Sequence, residues 1–111
     1  MTEVYKITLR KPRQRLIELC QSINYGSVEN LRVENGDPVF DPPPLVTRDV
    51  KLGGNENNGP RPELGRGNFK LKAAVLQLFE LFDDLGDGVV PLLEIKGGLP
   101  FRVLVQEQLN R

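Results

Sequence analysis

One cysteine, no histidine and two recurrent glutamates are the side chains of this chain best suited to covalent or acid–base chemistry. A cysteine nucleophile needs an activating base, most often His, and none exists. Cys20 stands at helical spacing among Leu16, Ile17 and Ile23, so it reads as a packed core thiol rather than a nucleophile. Glu18 and Glu80 fall one step beside apolar stripes, with no basic or carboxylate partner at fixed spacing, and read as flanks of buried faces rather than an acid–base pair. Asp83, Asp87, Gly88 and Glu94 match four positions of a calcium loop. Leu85 and Pro91 then occupy positions that need oxygen ligands. Without His the usual zinc and copper ligand sets cannot be assembled either, so no metal, cofactor or catalytic residue is expected.

Recognition chemistry has more to work with. Arg10, Lys11, Arg13 and Arg15 crowd the start of a predicted helix, where the macrodipole disfavours cations. Phosphate contacts would explain that arrangement, and a solvated helix end with scattered ion pairs is the plainer alternative. Tyr25 is a candidate recognition residue or a cap on the core. The run Pro42 to Pro44 suits a stiff spacer better than a polyproline ligand, since it lacks the P-x-x-P plus basic pattern. Fifteen basic and fifteen acidic residues cancel over the 111 residues, which argues against a general polyanion binder.

The elements that must position these residues follow from periodicity. Val4 to Leu9, VYKITL, reads as a strand. Pro12 suits the first turn of a helix whose stripe is Leu16, Ile17, Leu19, Cys20 and Ile23, stopped by Asn24 and Gly26. A hairpin spans Asn24 to Phe40, and Leu45 to Leu52 extends the sheet because Val46, Val50 and Leu52 share parity. Residues 53–67, rich in Gly, Asn and Pro, form a mobile linker. Asn68 caps a second helix, Phe69 to Leu85, with Leu71, Val75, Leu78, Phe79, Phe82 and Leu85 on one face and Gly86 as its stop. A second hairpin runs from Val89 to Glu107.

Sliding the chain against itself by 62 residues lays Ile17–Phe40 on Phe79–Arg102 without a gap, with seven identities in 24 positions. Glu18/Glu80, Leu19/Leu81, Gly26/Gly88, Val28/Val90, Leu31/Leu93, Gly36/Gly98 and Pro38/Pro100 are the matched pairs. The pattern is an internal repeat of a helix–hairpin unit. A two-residue turn at Asn35-Gly36 would pair Leu93 with Arg102 in the second copy and mix faces. A three-residue loop ending in Gly36 or Gly98 pairs Leu31 with Val39, Leu93 with Phe101 and Pro91 with Val103, and is preferred on burial grounds. A parity change between Val28 and Leu31, and between Val90 and Leu93, calls for a bulge near Glu29 or Pro91 or for pairing that starts only at Leu31 and Leu93.

Over roughly Leu16 to Leu52, LIELCQSINYGSVENLRVENGDPVF followed by RDVKL resembles the YezD-like small bacterial proteins, a family of unknown function. Tyr25-Gly26-Ser27-Val28 is the most specific part, and the second copy keeps only the Gly and Val of it. The resemblance implies a helix-plus-hairpin architecture and no activity.

The expectation is therefore an α+β fold over 1–111 as a single domain. Its tandem helix–hairpin repeat has pseudo-two-fold symmetry, with two helices packed on one face of an antiparallel sheet. Unit one covers about residues 10–52 and unit two about 68–107. The N-terminus MTEVYKITLRKPR lacks the apolar region of a signal peptide, and no apolar run approaches the roughly 20 residues of a membrane span. With one cysteine, that suits a cytoplasmic protein without a membrane partner. The function expected is a non-catalytic protein-interaction or adaptor module, monomeric or homodimeric, with an unidentified protein partner. Nucleic-acid binding through Arg10 to Arg15 with Arg48, Lys51, Arg61 and Arg66 is the alternative.

Overall fold

Pro12 lies in the first turn of α1 (Lys11–Ile23), where its missing N–H costs no intrahelical bond, and Asn24 closes the helix at φ 66° with its N–H on the Cys20 carbonyl. The computed structural model describes residues 10–53 and 68–107, with the side chains of the second stretch described from residue 73 onward. After α1 come β1 (Tyr25–Glu34), β2 (Asp37–Val39), β3 (Leu45–Arg48), α2 (Asn68–Leu85), β4 (Gly88–Lys96) and β5 (Leu99–Gln106). The expected strand at Val4 to Leu9, residues 54–67 of the expected linker and the side chain of Leu71 lie outside the described residues.

The fold is α+β, two helices against a five-stranded antiparallel sheet. β1 and β4 pair along their lengths at its centre, from Tyr25↔Lys96 to Val33↔Gly88. β5 flanks β4, while β2 and β3 share the other edge of β1, at Arg32–Glu34 and Gly26–Glu29 respectively. The cross-strand partners Val28↔Leu93 and Leu31↔Val90 are fully buried beneath the helices. Leu16, Ile17, Cys20 and Ile23 from α1 and Val75, Leu78, Phe79 and Phe82 from α2 join them in one cluster. A lone helix and hairpin could not bury such a face, and here each supplies the other's partner.

Backbone bonds tie the two halves reciprocally. The Gly36 N–H donates to the Gly86 carbonyl at 2.8 Å, and the Gly98 N–H donates to the Asn24 carbonyl at 2.8 Å, so each hairpin turn satisfies the end of the helix from the other half.

Three sequence expectations need correction. The hairpin loops have two residues, not three: Asn35 and Gly36 take φ 52° and 77°, Gly97 and Gly98 take 63° and 80°, and the pairs Glu34↔Asp37 and Lys96↔Leu99 close them. Positive φ at both positions defines the type I′ turn, whose twist matches that of paired strands. The mixing of faces that this turn would cause is removed downstream. A bulge between Ile95↔Pro100 and Glu94↔Arg102 lets Phe101 step out of register, so Leu93 meets Val103 instead of Arg102.

Second, pairing does not wait for Leu31 and Leu93, since β1 and β4 are already paired from Tyr25↔Lys96 to Glu29↔Leu92. Of the expected alternatives it is the irregularity near Pro91 that is present, as a register shift of β4 on β5 between Val89 and Leu92, while in β1 Asn30, beside Glu29, takes φ 61°. Third, β3 ends at Arg48, where it runs out of β1 to pair with, and Val50 and Leu52 are exposed.

Gly26 has no room for a side chain. A Cβ there would lie 2.0 Å from the Thr47 carbonyl oxygen and 3.0 Å from Ile23, because the paired strand β3 and the end of α1 close in on it.

Candidate interaction surface

Of the basic cluster, Arg13 is not at the surface. It is 8% exposed, its guanidinium donates to the Gly36 carbonyl at 2.7 Å and to Asp83 at 2.6 Å, and it lies 4.7 Å from the Phe79 ring centroid. A further ion pair reaches Asp37 at 3.2 Å. Arg13 is thus a joint between the start of α1, the first hairpin turn and the end of α2. Arg10 pairs with Asp37 at 2.8 Å, and that hydrogen bond and charge raise its pKa further. The Arg15 guanidinium lies over the Phe40 ring, 4.5 Å from its centroid. Lys11 alone of the four is exposed with no partner among the described residues. What draws these cations together is Asp37, Asp83 and two aromatic rings, so the cluster presents little uncompensated charge to a phosphate.

Tyr25 is half-exposed and stands opposite Lys96, on the sheet face away from the helices. Gly26 and Val28 take the core positions of that part of β1, so alternation sends Tyr25 outward.

The residues of the calcium-like pattern are held apart by other bonds. Asp83 accepts from Arg13, the Asp87 carboxylate accepts the Asn35 N–H at 2.9 Å, and Glu94 pairs with Arg102 at 3.2 Å. Among the described residues no group of three or more metal-ligating side chains gathers, and no helix is long and apolar enough to cross a membrane.

Cys20 is fully buried, and desolvation pushes its thiol up to about 12 from an ordinary 9.0. A raised pKa in the folded state means that the unfolded chain loses this proton first. The contribution to stability is whole below about pH 9 and falls as pH climbs towards 12. Denaturation midpoints compared between the wild type and Cys20→Ala from pH 8 to 11 are expected to converge as the pH rises. A thiol reagent at pH 8 is expected to label Cys20 only at the rate of unfolding.

An open feature that the sequence did not single out lies at the β5 edge. β5 is the outer strand of the sheet, and among the described residues nothing pairs with its far edge. Beside it, between α2 and β5, runs a groove of about 400 Å³ lined by Leu78, Leu81, Phe101 and Val103, with Glu80 and Asp84 on its helix rim. Phe101 is 60% exposed at the bulge, with the Lys96 ammonium 4.8 Å from its ring centroid.

A groove of similar volume lies beside α1 with Glu18, Leu19 and Ser22 on its helix wall, but its strand side is different. There β2 stops at Val39, β3 begins only at Leu45, and Phe40, Pro43 and Pro44 fill the gap. The sequence signal for this difference was present, since the prolines at 42–44 have no counterpart after Pro100.

No family model, no curated protein and no solved structure matches this chain.

Proposed function

We propose that this chain is a non-catalytic protein-interaction module of a small bacterial protein, built from a duplicated helix–hairpin unit and taking its partner along β5. The observation that carries this reading is the edge of β5, unpaired among the described residues, beside an apolar groove, the arrangement by which domains add an extended segment of a partner to their own sheet. An exposed strand edge is an aggregation hazard that proteins ordinarily blunt; Pro100 and the Phe101 bulge do so only at the start of β5, and the stretch from Arg102 to Gln106, which carries no proline, runs on beside the groove. A non-catalytic role is supported by the burial of Cys20 and by the separate commitments of Asp83, Asp87 and Glu94.

The duplication is part of the same proposal, as is the likeness of unit one to YezD-like proteins. Its support is reciprocity: Asn24/Gly86 and Gly36/Gly98 are equivalent at the 62-residue offset, and the bonds between them are exchanged across the molecule.

Nucleic-acid binding has weaker support, because Arg10, Arg13 and Arg15 already have partners and Arg61 and Arg66 lie outside the described residues.

A photo-crosslinking residue at Phe101, in cells that make the protein, tests the main reading against the same residue at Lys11. Discrete protein adducts from Phe101 and not from Lys11 are expected, and an adduct of twice the chain mass means a homodimer. Adducts at neither position would defeat the reading. Salt-steep binding of random-sequence DNA or RNA at about 50 mM salt, lost in Lys11→Glu/Arg15→Glu, would put nucleic acid in its place.

A further inference from the structure

From the shape and charge beside β5 we infer the class of partner: an extended peptide segment with apolar residues and alternating Lys or Arg, added as a strand to the open edge of β5. The inference rests on the interaction reading above and names its ligand.

The edge comes first. β2 and β3 offer no continuous ladder, since residues 40–44 leave the sheet between them. β5 offers eight residues, with Pro100 and the Phe101 bulge near its start and a second register shift on β4 towards its end, between Leu92↔Leu104 and Val89↔Gln106. Lys96 and Leu99 flank a two-residue turn and form its hydrogen-bonded pair, so Ile95 and Pro100 form a non-bonded pair. Pro100 thus turns the side lacking an N–H outward, and the usable edge lies beyond it, from Phe101 to Gln106.

Charge then selects the ligand. From residue 73 to 85, α2 carries Glu80, Asp83 and Asp84 and no basic residue. Asp83 is neutralised by Arg13, and Arg102 on the strand side is neutralised by Glu94. Glu80 and Asp84, both exposed, are left to set the potential of the groove. Four residues apart on a helix, they are separated by about 6 Å along its axis, and alternate side chains of a strand are about 6.8 Å apart. Two successive groove-facing side chains of an added strand therefore match the two carboxylates in spacing, while Leu78, Leu81 and Val103 take up their aliphatic stems.

The same charges disfavour a second copy of the chain. Pairing β5 with its own copy would bring two such α2 rims towards one groove, with like charges opposed. At the equivalent place beside α1, the cation of Arg15 stands next to Glu18 and lies over Phe40, so that groove has no acidic surplus of this kind.

The test uses the full chain and two labelled, end-blocked heptapeptides, Val-Lys-Val-Lys-Val-Lys-Val and its Glu counterpart, followed by fluorescence anisotropy at low salt. Two exposed ion pairs replaced by two repulsions change affinity by roughly tenfold or more, so the Lys peptide is expected to bind at least that much tighter. Glu80→Lys with Asp84→Lys, both at exposed positions, is expected to reverse the preference. N-methylation of every backbone nitrogen of the Lys peptide, which removes the strand donors of both its edges, is expected to abolish binding.

Equal binding of both peptides, no binding of the Lys peptide at 1 mM, or indifference to N-methylation would overturn the inference. So would a Lys-peptide complex formed only by a chain lacking residues 1–9, which would assign the edge to the chain's own N-terminal segment, or a charge-insensitive dimer through β5. If crosslinks at Phe101 persist while the peptide result fails, the inference falls and the interaction reading stands. If the crosslinks are absent, the reading itself falls.

Discussion

Phe82→Ala is expected to lower the free energy of unfolding by about 3–5 kcal/mol, the largest single effect in the molecule. Phe82 is the largest of the fully buried side chains among the described residues, and its ring meets that of Phe79 edge-on, centroids 5.6 Å apart at 72°. Truncation removes the apolar area, the ring pair and the filling of the space between α2 and the sheet. Domains of this size are stable by only about 5–15 kcal/mol, so the variant is expected to sit near the edge of folding at room temperature. Phe82→Leu keeps most of the volume and is expected to cost much less. Urea denaturation of both, followed by circular dichroism, is the check. A loss below about 1 kcal/mol for the alanine variant would mean that the helices and the sheet do not share one rigid core.

Phe82 and its neighbours were legible because helical spacing is a strong signal: Val75, Leu78, Phe79 and Phe82 on α2, and Leu16, Ile17, Cys20 and Ile23 on α1, are buried as their periods require. The end signals at Asn24 and Gly86 were legible for the same local reason, since both take positive φ. The turns were misread although Asn35-Gly36 is the strongest short hairpin signal. The alternation of Leu93, Phe101 and Val103 argued for a longer loop, and the bulge that reconciles the two has no residue signature at Phe101. The end of β3 is set by where β1 begins, a fact of pairing and not of composition.

Arg13 is the instructive miss. Its type suggested phosphate, yet it stands three, four and seven residues before Leu16, Ile17 and Cys20, on the buried stripe, and at the 62-residue offset its counterpart is the buried Val75. Position argued for the core while chemistry argued for the surface, and position prevails.

That standing makes Arg13→Ala the second large expected effect, about 2–4 kcal/mol of lost stability. Removing one partner of a fully buried ion pair would cost about 3–5 kcal/mol, but Asp83 is 62% exposed and recovers hydration when its partner is lost, so the ion pair contributes little of the loss. The Gly36 carbonyl is different. Gly36 is buried, its turn packs so closely on Asp83 that a Cβ would approach the carboxylate to 2.8 Å, and among the described residues it is the Arg13 guanidinium that donates to its oxygen. An unsatisfied buried acceptor costs about 1–3 kcal/mol, and the stem and guanidinium packed against Phe79 supply the rest. Asp83→Asn is accordingly expected to cost under about 1 kcal/mol. Arg13→Lys, which keeps the charge but cannot reach Gly36, Asp83 and Asp37 together as a planar fork can, is expected to behave like the alanine variant. Denaturant midpoints of the three variants decide the matter. If Asp83→Asn were as damaging as Arg13→Ala, the ion pair and not the carbonyl would hold the first hairpin turn to the end of α2.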